Sequence, residues 1–335
     1  VSAPNPDIDA RAQRQAIAES LLASPPPLDA LPPGRAQVLT RSVVHASRSR
    51  PVVRWTVALD SGSGTSTLLA VIGKGYRAGG GEQAWRLLRS LRQAGFDEAE
   101  LRVPEPYGFD PSRQLLAQEE APSTTLHSLL DGDPRSAAPE AGRAGRWLAR
   151  LHHVRGVHAP DLAADFERLK LGQYAEALAG LLPKAAARVA ELTAATIEEL
   201  ARTDGPRVLT HGDFQPKNIH LDRYRFVVID FDRAAWAPAG RDLGHFIGQT
   251  LTMGASRHGN LTAAVPWVDA FLEDYSAAGG DEGAVRSVPA YVARTFAEVL
   301  FYRLVVRPVR DSSFVPDWLD AWERAVSAAA GGRSR

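Results

Sequence analysis

The chain of 335 residues contains no cysteine. Disulfides, thiolate metal sites and cysteine nucleophiles are therefore excluded, and a reducing, cytoplasmic setting is expected. Charge of one sign is not in excess either. Lys plus Arg number 39 and Asp plus Glu number 39, which favours neither nucleic acid nor an anionic membrane as a partner. No apolar run approaches the roughly 18 residues of a transmembrane helix. The opening residues, V-S-A-P-N-P-D, lack the basic-then-apolar pattern of a secretion signal. Lysine is scarce: it occurs only at Lys74, Lys170, Lys184 and Lys217. What the chain does have is 44% hydrophobic residues, enough for sizeable cores, and a length that suits two domains or one large two-lobed one.

The most informative stretch is Leu209 to Asp232, L-T-H-G-D-F-Q-P-K-N-I-H-L-D-R-Y-R-F-V-V-I-D-F-D. It reads as a buried strand end, a polar loop, and two short strands, Ile219 to Leu221 and Phe226 to Ile229, around a polar turn at Asp222-Arg223-Tyr224. A hairpin brings its ends together, so Asn218 and Asp230 are expected to be neighbours. An amide oxygen beside a carboxylate, with a second acid at Asp232, suits a hard cation such as Mg²⁺ that keeps water and substrate phosphates as its other ligands. Asp213, five residues before Asn218, is placed to face whatever that metal holds. One carboxylate thus orients a hydroxyl, while an amide and a carboxylate hold metal-bound phosphate. The competing possibility is a surface hairpin whose polar loop merely caps strand ends.

His211-Gly212-Asp213 with Asn218 matches the H-x-D-x-x-x-x-N spacing of the kinase catalytic loop, and Asp230-Phe231 its metal-binding dipeptide. Gly212, together with Asp230-Phe231-Asp232, resembles the aminoglycoside phosphotransferase and choline kinase-like family. The resemblance covers most of Val38 to Phe246. It implies an α+β, bilobal protein kinase-like fold with a small antiparallel sheet in the N-lobe and a mostly helical C-lobe. The expected organisation is an N-terminal helix and Pro-rich connector over 1–34, a nucleotide-binding N-lobe over 35–121, and a helical C-lobe with catalytic loop and acceptor site over 122–335.

Residues 7–23 read as a helix, and Ser24 to Gly34 as a stiff extended connector. Strands follow over Gln37 to Ala46, Val52 to Leu59 and Thr65 to Ile72, with a hairpin turn at Gly62 to Thr65. By the resemblance, Lys74 at the end of the third strand is the phosphate-binding lysine. The loop Ala46 to Pro51, expected to cover the phosphates, has no glycine, which leaves Arg48, Arg50 or backbone N–H groups for that task. The glycines from Gly73 to Gly79 miss the dinucleotide spacing, and there is no Walker A loop. A helix over Glu82 to Ala94 offers Glu82 as the partner of Lys74, although Glu82 equally suits a helix N-terminus. Strands over Val103 to Pro106 and Leu115 to Glu119 lead into a hinge, where backbone groups at Glu119 to Ala121 would bind adenine.

Farther on, the helix Ala138 to Val154 ends in an L-A-x-L-H-like run, with His152 read as a buried residue beside the catalytic loop. Ala234 to Gly240 reads as a loop. Asp242, opening the next helix, matches the family's aspartate that hydrogen-bonds the catalytic loop. Only eleven residues separate Asp230 from Asp242, and no A-P-E motif is present, so a polypeptide substrate is disfavoured.

The expected activity is transfer of the ATP γ-phosphate to a hydroxyl of a small molecule, with GTP an open alternative to ATP. Asp213 is the expected base, Asn218 and Asp230 the Mg²⁺ ligands, and His211, Asp232 and Asp242 the supporting groups. Candidate acceptors are an aminoglycoside or macrolide, or a sugar or amino alcohol. The alternative is a catalytically weak nucleotide-binding sensor or scaffold. A two-metal phosphohydrolase would need further His and Asp ligands that the sequence does not offer.

Overall fold

A computed structural model describes residues 6–31, 35–60, 66–76, 79–203 and 205–331. The expected turn at Gly62 to Thr65 lies outside these residues. The chain divides into two compact units, Val1–Ser123 with Leu221–Asp232, and Thr124–His220 with Arg233–Arg335. The architecture is α+β and bilobal. Leu221–Asp232, expected within the second lobe, packs with the first.

In the first unit, helix α1 (Pro6–Leu22) precedes a five-stranded antiparallel sheet. Its strands are β1 (Arg35–His45), β2 (Val52–Asp60), β3 (Ser66–Gly75), β4 (Pro106–Asp110) and β5 (Leu115–Glu119), with helix α2 (Gly80–Gln93) between β3 and β4. The sheet order is β1-β2-β3-β5-β4. Along β2, Val53, Trp55 and Val57 are fully buried while their neighbours are not, the period-two signature of a half-buried strand. They pack with Val71, Leu115 and Ala117, and with Ala18, Leu21 and Leu22 of α1. The N-terminal helix therefore completes the core of this unit instead of standing apart from it. The expected strand at Val103 to Pro106 begins only at Pro106. Pro104 and Pro106 lack the N–H that a ladder needs, and proline is tolerated at the first position of a strand.

The second unit begins with α3 (Leu126–Leu129) and α4 (Ala138–His152), followed by α5 (Phe166–Leu181), α6 (Ala186–Ala201) and β6 (Arg207–Thr210). The ribbon β7 (Ile219–Leu221) and β8 (Phe226–Val228) forms a two-stranded sheet. The chain then returns through β9 (Ala235–Pro238) to α7 (Gly240–His258), α8 (Val265–Ala277), α9 (Glu282–Phe301) and α10 (Val315–Gly331). β9 corrects the expected loop over Ala234 to Gly240. It pairs antiparallel with β6, Thr210 opposite Ala235 and Arg207 opposite Pro238, so its backbone groups are satisfied by a partner distant in sequence.

α4 lies close against α8. A Cβ at Gly145 would overlap the Phe271 carbonyl oxygen, so only glycine permits that approach. Phe214 of the polar loop stacks on Trp147 of α4 at 5.8 Å and lies 5.6 Å from Phe246 of α7. Phe246 stacks in turn on Phe271 of α8 at 4.0 Å. This apolar cluster anchors the polar loop to three helices. Among the described residues, no helix is long and apolar enough to cross a membrane.

Candidate active site

Lys74 lies on β3, paired with Val52 of β2 and Leu116 of β5. Its Nζ donates to Asp230 Oδ1 at 2.6 Å and Asp232 Oδ2 at 3.2 Å. Both acids reach it through the ribbon's second strand, which is tied to the same unit where Phe226 N donates to Ala99 O and Val228 N to Arg102 O. Burial pulls the Lys74 pKa down, but interaction with Tyr76 and Asp230 outweighs it and holds the ammonium above its ordinary value. Asp232 is 4% exposed and also accepts from Tyr76 Oη at 2.8 Å and from Arg50. Arg50 comes from the glycine-free loop, so this basic residue stands beside the acids. Asp230 is 38% exposed, and its φ of 71° places it in the left-handed region, uncommon for a residue other than glycine.

Glu82 lies elsewhere. Its Oε1 accepts from Arg86 Nη2 at 2.5 Å on an exposed face of α2. The carboxylates at Lys74 are Asp230 and Asp232. The Glu119 side chain is held by Arg102 at 3.0 Å and Arg225 at 3.2 Å. Its N–H is spent on Glu105 O and that of Glu120 on Ala70 O. Ala121 borders a cavity of about 520 Å³ with Ala70, Tyr107 and Glu120.

In the second unit, the loop after β6 is fixed from beneath. Asp242, fully buried at the start of α7, accepts from His211 N at 2.6 Å and Gly212 N at 2.8 Å. His152 Nε2 approaches the same carboxylate at 3.4 Å, with its Nδ1 at 3.0 Å from Tyr275 Oη. Burial pushes the Asp242 pKa up. The hydrogen bond from His152 and electrostatic interaction with its surroundings, Arg241 among them, outweigh it and hold it below the usual carboxylate range. Gly212 has a φ of 81°, and a Cβ there would overlap the Arg233 carbonyl oxygen. Glycine is required twice over at this position, by conformation and by close approach. His211 is fully buried and its Nδ1 accepts from Asp213 N at 3.2 Å.

The loop so fixed presents Asp213, 20% exposed. Its Oδ1 accepts from Gln215 Nε2 at 2.8 Å and His245 Nε2 at 3.0 Å. Asn218 Nδ2 donates to the Asp213 carbonyl at 2.9 Å and reaches Oδ2 at 3.3 Å. His245 Nδ1 faces Glu298 Oε2 at 3.3 Å, and Glu298 is ion-paired with Arg294. Bonding two carboxylates uses both imidazole nitrogens as donors, the arrangement of an imidazolium. Burial pulls the His245 pKa down, but its bonds to Asp213 and Glu298 and their charges raise it above the ordinary value. Burial likewise pushes Asp213 up, while the His245 bond and the charges of His245 and Arg233 bring it below the usual range.

The sequence reading passed over His245 and Glu298. The signal for His245 was available: it lies three residues after Asp242 and so shares its helix face. Glu298, on a helix far along the chain, had none. Tyr76, two residues beyond Lys74 and on the same side of the strand path, was also missed.

Asp213 opens onto a cavity of about 650 Å³ lined by residues including His127, Lys217, Arg257, Arg303 and Trp318. Burial and the charges of Arg257, Arg307 and Arg303 lower the Lys217 pKa. Among the described residues, no group of three or more His, Asp or Glu side chains could hold a metal by itself. Within the first unit, the carboxylates of Asp230 and Asp232 suit magnesium, which takes few protein ligands and completes its shell with water and phosphate, and Asp230 is the more exposed of the two. Within the second, Asn218 spends its nitrogen on Asp213.

The sequence profile of the phosphotransferase enzyme family matches residues 56–288. No curated protein matches the sequence significantly. Solved structures share the fold. An amicoumacin kinase, solved with AMP-PNP, Ca²⁺ and its antibiotic, is 15% identical with a TM-score of 0.56, covering 97% of this chain and 96% of its own. A choline/ethanolamine kinase family protein from Mesorhizobium loti is 17% identical with a TM-score of 0.54, covering 97% and 95%. A spectinomycin phosphotransferase, solved with ADP and spectinomycin, is 14% identical with a TM-score of 0.52, covering 90% and 93%.

Proposed function

The chain belongs to the phosphotransferase enzyme family, and from that premise we propose that it transfers the γ-phosphoryl group of ATP to a hydroxyl of a small molecule, with Asp213 as the catalytic base. The observation that carries this reading is the setting of Asp213: a loop locked by Asp242, a carboxylate fixed by Gln215, His245 and Asn218, and a cavity large enough for a small acceptor. The fold relatives solved with an antibiotic and a nucleotide support a hydroxylated acceptor of that size.

Phosphoryl transfer asks mainly for positioning and charge neutralisation. Oδ1 of Asp213 accepts from both His245 and Gln215 and Oδ2 only from Asn218, at 3.3 Å, so Oδ2 is the oxygen with capacity left to accept the hydrogen bond of the incoming hydroxyl. As the acceptor oxygen bonds to phosphorus and the bond to the ADP oxygen breaks, the proton passes to Asp213. Its lowered pKa makes it a weak base, suited to orienting the hydroxyl and receiving the proton late. That fits a loose transition state in which the nucleophile is little deprotonated. Lys74 holds the phosphate tail, and Glu119 to Ala121 border the adenine. Asn218 and Asp230 would hold Mg²⁺, which when bound would neutralise phosphate charge.

The test is transfer of radiolabelled γ-phosphate from Mg·ATP into acceptors of an antibiotic, sugar and amino-alcohol panel. Asp213→Asn is expected to lower kcat by more than about 10²-fold, the usual scale for a general base, with Mg·ATP affinity kept. Turnover of a good acceptor at the wild-type rate by that variant overturns the assignment.

A further inference from the structure

We propose that the acceptor is itself anionic: a hydroxylated molecule carrying a carboxylate or phosphate that the cavity beside Asp213 holds by its cations. The proposal rests on the reading of Asp213 as the base and adds the class of acceptor.

The cations lining that cavity are Lys217, Arg233, His245, Arg257, Arg303 and Arg307, and its carboxylates are Asp213 and Glu298. Both carboxylates are already matched. Asp213 is held by His245, and Glu298 by His245, Arg294 and, at 3.6 Å, Arg233. Arg257 is paired with Asp131. Among the described residues, no carboxylate pairs with Lys217, Arg303 or Arg307.

Of these charges Arg303 is partly buried and built in, while Lys217 and Arg307 are exposed. Arg303 Nη1 donates to Ser256 Oγ at 2.6 Å, and its guanidinium lies 4.8 Å from the Phe314 ring centre and 5.3 Å from that of Trp318. Its Nε is buried with no hydrogen-bond partner. The wide turn Tyr302–Val306 that ends α9, closed where Arg307 N donates to Tyr302 O at 2.8 Å, brings both Arg303 and Arg307 to the cavity. The cavity also resists taking up positive charge. Burial, Arg257 and Lys217 push the His127 imidazole down to about 4. A polycationic acceptor would meet the same repulsion, whereas a planar guanidinium is matched to carboxylate and phosphate oxygens.

The test is calorimetric titration of the full chain saturated with Mg·AMP-PNP, which occupies the nucleotide's own phosphate-binding groups. The probes are glucose, glucosamine, kanamycin, gluconate and glucose 6-phosphate. At least one anionic probe is expected to bind about ten-fold or more tighter than glucose or glucosamine, the scale of one charge-assisted bond. Gluconate against glucose 6-phosphate separates carboxylate from phosphate recognition. The double variant Arg303→Gln/Arg307→Gln is expected to lose this preference, and Arg307→Lys, which keeps the charge, to retain part of it. In the titrations, three results overturn the proposal: equal or tighter binding of glucosamine or kanamycin, no binding of either anion, or an anion preference that survives the double variant in a folded protein. Asp213-dependent phosphorylation of a cationic acceptor overturns it while the kinase reading stands. Anion binding with nucleotide turnover indifferent to Asp213→Asn does the reverse.

Discussion

Nε2 of His245 stands 3.0 Å from Oδ1 of Asp213, and the other nitrogen of the same ring faces Glu298. The imidazole therefore holds one carboxylate oxygen and leaves the second, which accepts only from Asn218, for the proposed acceptor. Replacing His245 with Gln keeps volume and one donor but loses the fixed charge and the second bond. The expected result is a fall in kcat of about ten- to hundred-fold, the scale of a sub-ångström misplacement near the chemistry, with KM for ATP little changed. A loss confined to KM would show that His245 serves binding and not positioning.

The same ring gives a pH-dependent contribution to stability. Burial lowers the His245 pKa, but Asp213 and Glu298 raise it beyond the ordinary value, which for an unfolded chain is about 6.5. The groups facing it are those two carboxylates, with Arg294 and Arg233 behind them. A raised folded pKa means the folded state holds the proton more tightly. The contribution is then complete below about pH 6.5 and is lost as pH rises through the folded value. The Tm difference between wild type and His245→Gln is expected to shrink from pH 6.5 towards pH 9. A gap that stays constant across that window would contradict the charged imidazole.

Asp242 accepts two backbone N–H groups of the loop that carries Asp213 while fully buried. Asp242→Ala leaves both donors without a partner, at about 1–3 kcal/mol each. Urea denaturation is expected to show a loss of about 2–5 kcal/mol, with kcat falling because the loop beneath Asp213 is released. Unchanged stability would mean that water takes over both bonds.

Lys74 and Glu82 are expected to behave differently. Lys74 sits between Asp230 and Asp232. Lys74→Ala should raise KM for Mg·ATP at least about ten-fold, the loss of one charge-assisted contact. Glu82 pairs only one turn along its own exposed helix face, with Arg86, an arrangement worth about 0–1 kcal/mol. Glu82→Ala should therefore have near-wild-type KM. A large effect of Glu82→Ala in steady-state kinetics would show that the two residues meet during turnover.

Much of this could be read along the chain because the informative features are local. Alternating apolar residues in β2, the ribbon around Asp222-Arg223-Tyr224, and H-G-D with Asn218 all express themselves within a few residues. Gly212 is local too: its conformation and its place before Asp213 follow from the tight turn. The strand β9 escaped because four residues with two alanines carry little signal until β6 pairs with them. α1 read as a helix, but its membership in the core beside Trp55 depends on contacts with residues more than thirty positions away. The partner of Lys74 was placed on the next helix in sequence, whereas the acids at its ammonium arrive from Asp230 and Asp232, over 150 residues later. The His245–Glu298 support and the gathering of Arg257, Arg303 and Arg307 into one cavity have the same origin. Charges interact through space, and helix packing alone decides which of them share it.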